Sequence, residues 1–181
     1  KTNKCNLRCK FCYNYGEFDC IPPVGEGMWE IGGTKFYEKD IDLLLSIYNK
    51  PTGISYVYLE PFMEIEKYYP VIKKFSSANI HQHLYTNGTM ATEETLKALG
   101  EAGLDEIRFN LGATNCSDKV IENMGIAKEY IKSVGIETPM TPEFYETFFK
   151  KKQAILETKL DFINCAELHL NENNIFNYYG E

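Results

Sequence analysis

The sequence lacks the features that would place this 181-residue chain on nucleic acid or across a membrane. Acidic residues outnumber basic ones, 26 to 19, and the net charge of −7 excludes a broad basic surface for nucleic acid. No apolar run reaches the length of about eighteen residues that a membrane span needs. We find no secretory leader, and because the sequence begins with Lys1 we expect it to be cropped at the amino terminus, with a similar crop at the carboxyl terminus left open.

The cysteines are not distributed along the chain like those that form the disulfide bonds of a small secreted domain. Three of the six cysteines stand close together, and such a thiol-rich loop indicates a reducing compartment, so we expect a cytoplasmic protein. The other three, Cys20, Cys116 and Cys165, are isolated from one another. We predict that each is a small buried apolar residue, because an auxiliary cluster would need grouped cysteines.

The remaining composition fits one well-packed domain over residues 1–181. Hydrophobic residues make up 44% and aromatic residues 14% of the chain, which excludes a disordered protein. The chain is also long enough to bury a sizeable core.

The most specific feature is the run CNLRCKFCY, in which Cys5, Cys9 and Cys12 have the spacing C-x3-C-x2-C. This spacing brings three thiolates to one iron–sulfur cluster and leaves a fourth iron without a protein ligand. An iron with an open position can bind a small molecule, as the metal of a catalytic zinc site does. A structural zinc site is the alternative, but it would need a second Cys or His pair, and none follows at a matching distance.

This run, including Phe11 before the last cysteine, resembles the cluster-binding signature of the radical S-adenosylmethionine (SAM) enzymes. The resemblance implies a [4Fe-4S] cluster on the three cysteines, with SAM bound at the open iron. It also implies reductive cleavage of SAM to a 5′-deoxyadenosyl radical that abstracts hydrogen from a substrate. An electron donor of the flavodoxin or ferredoxin type would supply the electron. Within the family, the chain resembles proteins related to the pyruvate formate-lyase activating enzyme.

Strand-like segments recur along the chain after residue 50. They are predicted at Ile54–Glu60, His81–Asn87, Glu106–Gly112, Gly135–Met140 and Asp161–Leu168. Their starts are 27, 25, 29 and 26 residues apart, which is about the length of one strand with its returning helix.

Helix signals fill the intervals between these strands. Capping residues predict helices that begin after Thr92, Ser117 and Thr141, and Gly135 is expected to close the second of them. Another helix is predicted to begin at Pro70.

Earlier in the chain, one helix is expected over Asp40–Asn49, and the irregular stretch Asn14–Gly33 is expected to be a loop over the cluster face. The alternation predicts an α/β fold with parallel strands and helices outside. Counting a truncated first strand that ends at Cys5, there are six strand–helix units, too few for a closed eight-stranded barrel. We therefore expect a partial (β/α)6 barrel, which is also the core that the family resemblance implies.

Polar residues follow the strands at their carboxyl ends, where parallel α/β folds bind ligands. Glu60-Pro61 resembles the family's Gly-Gly-Glu-Pro turn, which holds the amino group of SAM, although Tyr58 and Leu59 replace the glycines. Through the resemblance, the predicted cofactor-binding residues are Phe11, Glu60, Thr86, Asn87, Gly88, Asn110 and Glu137. Simpler roles stay open: Glu60 as a helix cap, Asn87-Gly88 as an ordinary turn, and Glu60 or Glu137 as the acid partner of Arg108.

Two further groups of residues are weaker candidates. His81 and His83 share a strand face and could chelate a metal, but no third ligand at matching depth is evident, so packed polar groups are favoured. His83 could also face the substrate. The tail DFINCAELHLNENN resembles a strand and loop of the activating-enzyme relatives, which makes Asn164, Glu167 and Asn171 candidates for substrate or adenine contact.

The predicted function is therefore that of a radical SAM enzyme whose substrate and catalytic residues are unidentified. A protein or peptide is one candidate substrate, as for a glycyl-radical activating enzyme. Two other classes stay open: a non-catalytic iron–sulfur electron-transfer protein and a degenerate radical SAM scaffold. A passive carrier has no need of Glu60, Asn110 and Glu137 at the strand ends, so these residues favour the enzyme.

Overall fold

The computed structural model describes residues 4–16, 25, 27–47, 51–57 and 59–179. Its strands and helices, in chain order, are β1 (Met28–Ile31), β2 (Thr34–Tyr37), α1 (Ile41–Ile47), β3 (Gly53–Tyr56), α2 (Tyr68–Ser77), β4 (His81–Thr86), α3 (Glu93–Ala102), β5 (Glu106–Phe109), α4 (Asp118–Tyr130), β6 (Ser133–Pro139), α5 (Pro142–Glu157) and β7 (Phe162–Ala166). All five strands predicted after residue 50 are confirmed, with shifted ends.

The strands β3 to β7 form one parallel sheet in the order of the sequence. Each neighbouring pair is joined through a helix, which confirms the α/β fold with an open, unclosed sheet among the described strands. The sixth predicted strand is the truncated first strand of the chain, which was expected to end at Cys5. Most of it lies outside the described residues. The carbonyl oxygen of Lys4 accepts a hydrogen bond from the Glu60 backbone N–H at 2.9 Å, so this part of the chain runs beside the end of β3.

Alternation along the strands separates an apolar from a polar face of the sheet. On β5, Ile107 and Phe109 are fully buried, and they pack with Leu96 and Met124 of the covering helices in one core. Arg108, which lies between them, points to the other face and is only half-buried. The described helix residues of the core pack on the apolar face, so a ligand would bind on the polar face, which we call the concave face.

Local signals placed most helix ends well. The side chains of Thr92 and Thr141 cap α3 and α5 as predicted, by accepting from backbone N–H groups of the first turns. Helix α2, in contrast, begins at Tyr68 rather than at Pro70, because short 3₁₀ turns occupy Pro61–Lys67. Helix α1 is described only to Ile47, and residues 48–50 lie outside the described residues.

Two predictions about glycine-containing segments were wrong. Gly135 does not close α4, which ends at Tyr130. It lies inside β6, where a Cβ atom would meet the Phe162 ring at 2.4 Å. The stretch Asn14–Gly33 is not wholly irregular, because β1 and β2 form an antiparallel hairpin with Trp29 beside Phe36. Residues 17–24 lie outside the described residues.

Candidate functional site

The three cysteines lie in one loop, residues 4–16, at the carboxyl edge of the sheet. The Cys12 N–H donates to the Cys9 carbonyl oxygen at 2.9 Å, which makes a tight turn between the two ligands. The side chain of Asn6 accepts from Asn87 Nδ2 at 2.9 Å. The loop is therefore tied directly to the turn that follows β4.

The thiols of these cysteines are half-buried and electrostatically coupled. Burial raises the pKa of each thiol, and it raises that of Cys9 to about 12 with added repulsion from Cys12 and Cys5. The Leu7 N–H, 3.5 Å from Cys5 Sγ, acts in the opposite direction. Because the three sulfurs share one space, a bound cation would stabilise all of them as thiolates.

Asparagine side chains near the end of the chain hold the same loop from its other side. The side-chain amides of Asn171 and Asn173 both donate to the Tyr13 carbonyl oxygen. The amide of Asn174 donates to the Phe11 carbonyl oxygen, and that of Asn177 to the Lys10 carbonyl oxygen. Asn174 is fully buried, and its Nδ2 donates to the Phe11 oxygen at 3.1 Å and to the His169 oxygen at 3.0 Å. We call these four residues the asparagine latch.

Glu60 lies where the chain leaves β3, and its buried carboxylate joins two segments. Oε1 accepts from the Phe62 N–H at 3.0 Å and from the Thr86 hydroxyl at 2.7 Å, and Oε2 accepts from the Asn87 N–H at 2.7 Å. Burial raises the pKa of Glu60, and these three bonds oppose the increase. Glu60 thus caps the turns Pro61–Lys67, yet a carboxylate can still accept one further bond.

Of the two residues at the glycine positions of the family's turn, the structure describes Leu59. Leu59 has a φ of +53°, in the left-handed region that glycine adopts most readily. This conformation costs about 1–2 kcal/mol for a residue with a Cβ atom. Tyr58 lies outside the described residues.

The Thr86-Asn87-Gly88 turn is fixed by its own bonds. The Gly88 N–H donates to the Thr86 hydroxyl at 2.9 Å, and the Asn87 side chain accepts from the Thr89 N–H at 3.0 Å. Gly88 has a φ of +74°, and a Cβ atom there would lie 2.7 Å from the Phe109 ring. Glycine is therefore required at this position by both conformation and space.

Asn110 follows directly after β5, and a residue that we did not predict orients it. Its Oδ1 accepts from the Thr138 hydroxyl at 2.9 Å and from the Ala113 N–H at 3.2 Å. Thr138 is buried at the end of β6. With its oxygen engaged, Asn110 has its NH₂ group to offer to a ligand.

Arg108 finds its partners on the concave face rather than at Glu60. Its guanidinium binds Glu106 at 2.5 Å and Glu137 at 3.0 Å, and it donates to the Tyr85 hydroxyl at 2.9 Å. The prediction that Glu137 pairs with Arg108 is confirmed, and the alternative partner, Glu60, was wrong. Asn164 donates to the other oxygen of Glu137 at 2.8 Å, so this carboxylate is also held in place.

One cavity of about 340 Å³ connects these groups. It is lined by Cys5, Cys9, Phe11, Cys12, Asn14, Leu59, Glu60, Tyr85, Thr86, Asn87, Asn110, Ala113, Glu137, Thr138, Pro139 and Ala166. All of the residues predicted to bind the cluster or the cofactor are in this set except Gly88, which shapes the turn instead. Thiols therefore meet carboxylate, amide and hydroxyl groups in a single space at the carboxyl ends of the strands.

The family is decided by a comparison with known protein families. The model of the radical SAM superfamily matches residues 1–151. The chain belongs to the radical SAM superfamily. This family uses a [4Fe-4S] cluster and SAM, which confirms the cofactors expected from the cysteine motif.

Two curated relatives of the radical SAM chain come from archaea. A Methanocaldococcus jannaschii protein described as a candidate glycyl-radical enzyme activating enzyme is 32% identical over 131 residues, 67% of this chain and 35% of its own length. The tungsten-containing aldehyde ferredoxin oxidoreductase cofactor-modifying protein of Pyrococcus furiosus is 24% identical over 192 residues, 92% of this chain and 49% of its own length. The chain thus spans about a third to a half of these relatives.

Solved structures share the fold at lower identity. SuiB of Streptococcus suis, solved with S-adenosylmethionine bound, has a TM-score of 0.69 and 16% identity, with 96% of this chain and 40% of that chain covered. The protein anSMEcpe, solved with bound AdoMet, has a TM-score of 0.64 and 19% identity over 94% of this chain and 51% of that chain. It has also been solved with AdoMet and a peptide.

The donor set fits the cluster of this family. Three soft sulfur ligands from one loop face a common space, and soft thiolates are the ligands that iron–sulfur clusters use. The cavity beside them has polar groups of both donor and acceptor type, as the amine and carboxylate of SAM would need. Cys5, Cys9 and Cys12 would hold the cluster, and the cluster would supply electrons and the open iron.

Other predicted residues have mixed outcomes. Cys116 is buried as expected, but Cys165 is exposed, since its position on the terminal strand β7 leaves it uncovered, and Cys20 lies outside the described residues. Asn171 contacts the cluster loop backbone, while Glu167 is exposed and carries no described site contact. Among the described helices, none is both long and apolar enough to cross a membrane.

Proposed function

We propose that this chain is the core of a radical SAM enzyme, with the cluster held by Cys5, Cys9 and Cys12. When bound and reduced, the cluster would cleave SAM to methionine and a 5′-deoxyadenosyl radical that takes hydrogen from a substrate. The observation that supports this proposal is the single cavity in which the thiols and the strand-end polar groups meet. Because the chain spans only part of the length of its relatives, the activity and the substrate of the whole protein are also proposed and not observed.

The residues of this chain would bind and orient SAM rather than react with it. The amide NH₂ of Asn110 would donate to a carboxylate or ribose oxygen, because its own oxygen is already held by Thr138. Glu60 would accept from the SAM amine with its remaining acceptor position, and Phe11 would pack beside the adenine. The cavity walls would limit the access of water and of competing hydrogen donors.

The rival classes remain distinguishable, although not by the strand-end acids alone. Glu60 and Glu137 both have structural partners, so a passive electron carrier with this fold could retain them. Asn110 is more informative, because it lines the cavity and its engaged oxygen leaves the NH₂ group to bind a ligand. Leu59, with its positive φ, stands at a glycine position of the family's turn. It would support a degenerate scaffold only if the protein failed to bind SAM.

An anaerobic assay tests the proposal. We expect that protein reconstituted with iron and sulfide, reduced with dithionite and given SAM forms 5′-deoxyadenosine. Cys9→Ala should abolish the product and the cluster absorbance, while Cys165→Ala, which changes an exposed cysteine outside the cavity, should retain both. Wild-type protein that holds a cluster but forms no 5′-deoxyadenosine would contradict the enzyme and support one of its rivals.

We further propose that the substrate is a protein or peptide segment and that the electron donor is a flavodoxin or ferredoxin. Support comes from the relative described as a candidate glycyl-radical enzyme activating enzyme and from the neighbour solved with a peptide. The open sheet also leaves the concave face accessible to an extended chain. A cytoplasmic location and the lack of nucleic-acid binding remain predictions. Transfer of deuterium from a labelled peptide into 5′-deoxyadenosine would test the substrate class.

A further inference from the structure

A second cluster of metal-ligand side chains lies at the opposite end of the concave face from the cysteines. Here β4 and β5 begin, and His83 is the register partner of Glu106. His81 lies two residues earlier than His83 and so projects from the same face. One ring nitrogen of each histidine and one carboxylate oxygen of Glu106 all lie within 4.8 Å of one another.

An unsatisfied nitrogen also points to a missing partner at this position. His83 Nδ1 is buried and has no hydrogen-bond partner among the described residues. A buried polar atom without a partner is costly, by about 1–3 kcal/mol, and such atoms call for an explanation such as an ion. On the other side of the cluster, His81 Nδ1 lies 3.9 Å from Asp105 Oδ2. This distance is longer than a hydrogen bond, and a small shift that closed it would give His81 the carboxylate partner that orients metal-binding histidines.

We propose that His81, His83 and Glu106 bind a divalent transition metal ion of the zinc type. Two imidazoles and one carboxylate form a ligand set of catalytic zinc sites, and they leave a position for water or substrate. Tetrahedral ligands lie about 3.3 Å apart around a zinc ion whose Zn–N distance is about 2.0 Å. The observed separations of up to 4.8 Å would therefore have to shorten when the metal binds.

Arg108 is a nearby positive charge that opposes a cation. It binds Glu106 Oε1, while Oε2 accepts only a longer bond, 3.3 Å, from the Ser133 hydroxyl. Glu106 can therefore turn its second oxygen to the metal. Arg108 would keep Glu137 and the Tyr85 hydroxyl as partners.

The ligands of this site are distinct from the residues proposed to bind the cluster and SAM, although Arg108 connects Glu106 to Glu137 and Tyr85 of the cavity lining. His83 and Asn87, which lines the cluster cavity, are four residues apart, or about 13 Å along a strand. The metal would therefore join β4 to β5 at the far end of the concave face, separate from the iron–sulfur loop.

X-ray absorption at the zinc edge tests the proposal without any substitution. The full chain, loaded with its cluster, would be equilibrated with Zn²⁺, desalted and analysed for zinc and iron. We expect one zinc per chain, with nitrogen and oxygen neighbours at about 2.0–2.1 Å. A shell of sulfur at about 2.3 Å would place the zinc on the cysteines instead and overturn the proposal, as would less than stoichiometric zinc.

Substitutions then assign the ligands. In equilibrium dialysis, His83→Ala and Glu106→Gln should each weaken zinc binding by at least about tenfold, because even outer-shell changes cost that much. His169→Ala, which removes the remaining histidine of the chain from an exposed position, should leave binding unchanged. The proposal is wrong if all three variants bind zinc as the wild type does. The same dialysis is repeated on the Cys5/Cys9/Cys12→Ala protein, which cannot hold the cluster. Zinc binding should be unchanged there, so a failure of the proposed cluster would not be mistaken for a failure of the zinc site.

Discussion

The two sides of the cavity are stabilised in different ways. On the strand side, the buried carboxylate of Glu60 binds groups from the turns beside it, and Gly88 fits between packed side chains. On the sulfur side, the loop depends on amides of the asparagine latch, which lie more than 150 residues away in the sequence. The strand side is therefore part of the folded core, whereas the sulfur side depends on the docking of a distant segment.

This difference implies that substitutions on the two sides should be separable by measurement. Changes on the strand side should lower the free energy of unfolding of the whole domain. Changes in the latch should release the cluster loop first, with less effect on global stability, because loop segments open locally.

The largest effect on stability is expected from Glu60→Ala. The change leaves the Phe62 N–H, the Asn87 N–H and the Thr86 hydroxyl without their buried acceptor. At about 1–3 kcal/mol for each of the three unsatisfied groups, we expect a loss of at least about 3 kcal/mol in the free energy of unfolding measured with urea. Glu66→Ala, on the exposed side of the same turns, is the matched control and should change it by less than about 0.5 kcal/mol.

Gly88→Ala should have the next largest effect. The new Cβ atom would meet the Phe109 ring at 2.7 Å and Val120 at 2.8 Å, in a backbone with φ of +74°. We expect a loss of about 2–4 kcal/mol from overpacking and strain together, measured by the same denaturation. Gly125→Ala, at a helix position with open space around it, should be neutral or stabilising by up to about 1 kcal/mol. Equal losses in the two variants would contradict the account of the turn.

Asn174→Ala should affect the cluster more than the fold. It removes the buried amide that donates to the Phe11 and His169 carbonyls, at a cost of about 1–3 kcal/mol in local stability. We expect iron to be lost to a chelator about tenfold faster or more, since about 1.4 kcal/mol corresponds to one factor of ten. Asn177→Ala, which removes one bond from a half-buried latch residue, should have a smaller effect. If chelation is equally fast in both variants and the wild type, the latch does not hold the loop.

The smallest effect concerns the acid stability of the sheet. Burial acts to raise the pKa of Asp161, but hydrogen bonds from the Lys128 ammonium and the Val134 N–H outweigh it and lower the pKa. The carboxylate therefore contributes stability above its unfolded pKa of about 3.9, and this contribution disappears as the pH falls through the folded value. Asp161→Asn should cost less than about 1 kcal/mol at pH 7, because the group is largely solvent-exposed, and nothing at low pH. The measurement is the urea midpoint of unfolding between low pH and pH 7. Asp42→Asn, which removes the carboxylate of the exposed Lys74–Asp42 pair, is the control.

Local patterns were sufficient for the cysteine loop and for the order of strands and helices. Cys5, Cys9 and Cys12 are close in sequence, so their shared space needed no knowledge of the fold. Thr92 and Thr141 could be identified as caps because a cap acts on the next turn. Gly135 misled us for the same local reason: a glycine after a helix suggests an end, while its actual role depends on Phe162, in the next strand.

The remaining features depend on which strands and loops become neighbours. Asn174 could not be linked to Phe11 from sequence, because no local signal shows that the tail returns to the loop. Glu106 escaped notice as a third ligand because only the register of β4 and β5 places it beside His83. Thr138, which orients Asn110 from the next strand, was missed for the same reason.

The most direct test of the central claim is the EPR spectrum of the reduced cluster before and after SAM is added. If the thiols and the strand-end groups form one site, SAM should change the spectrum of the wild type, and Asn110→Ala should require about tenfold more SAM or more for the same change. A reduced cluster whose spectrum does not respond to saturating SAM would contradict the claim that the cavity joins an open iron to the strand ends.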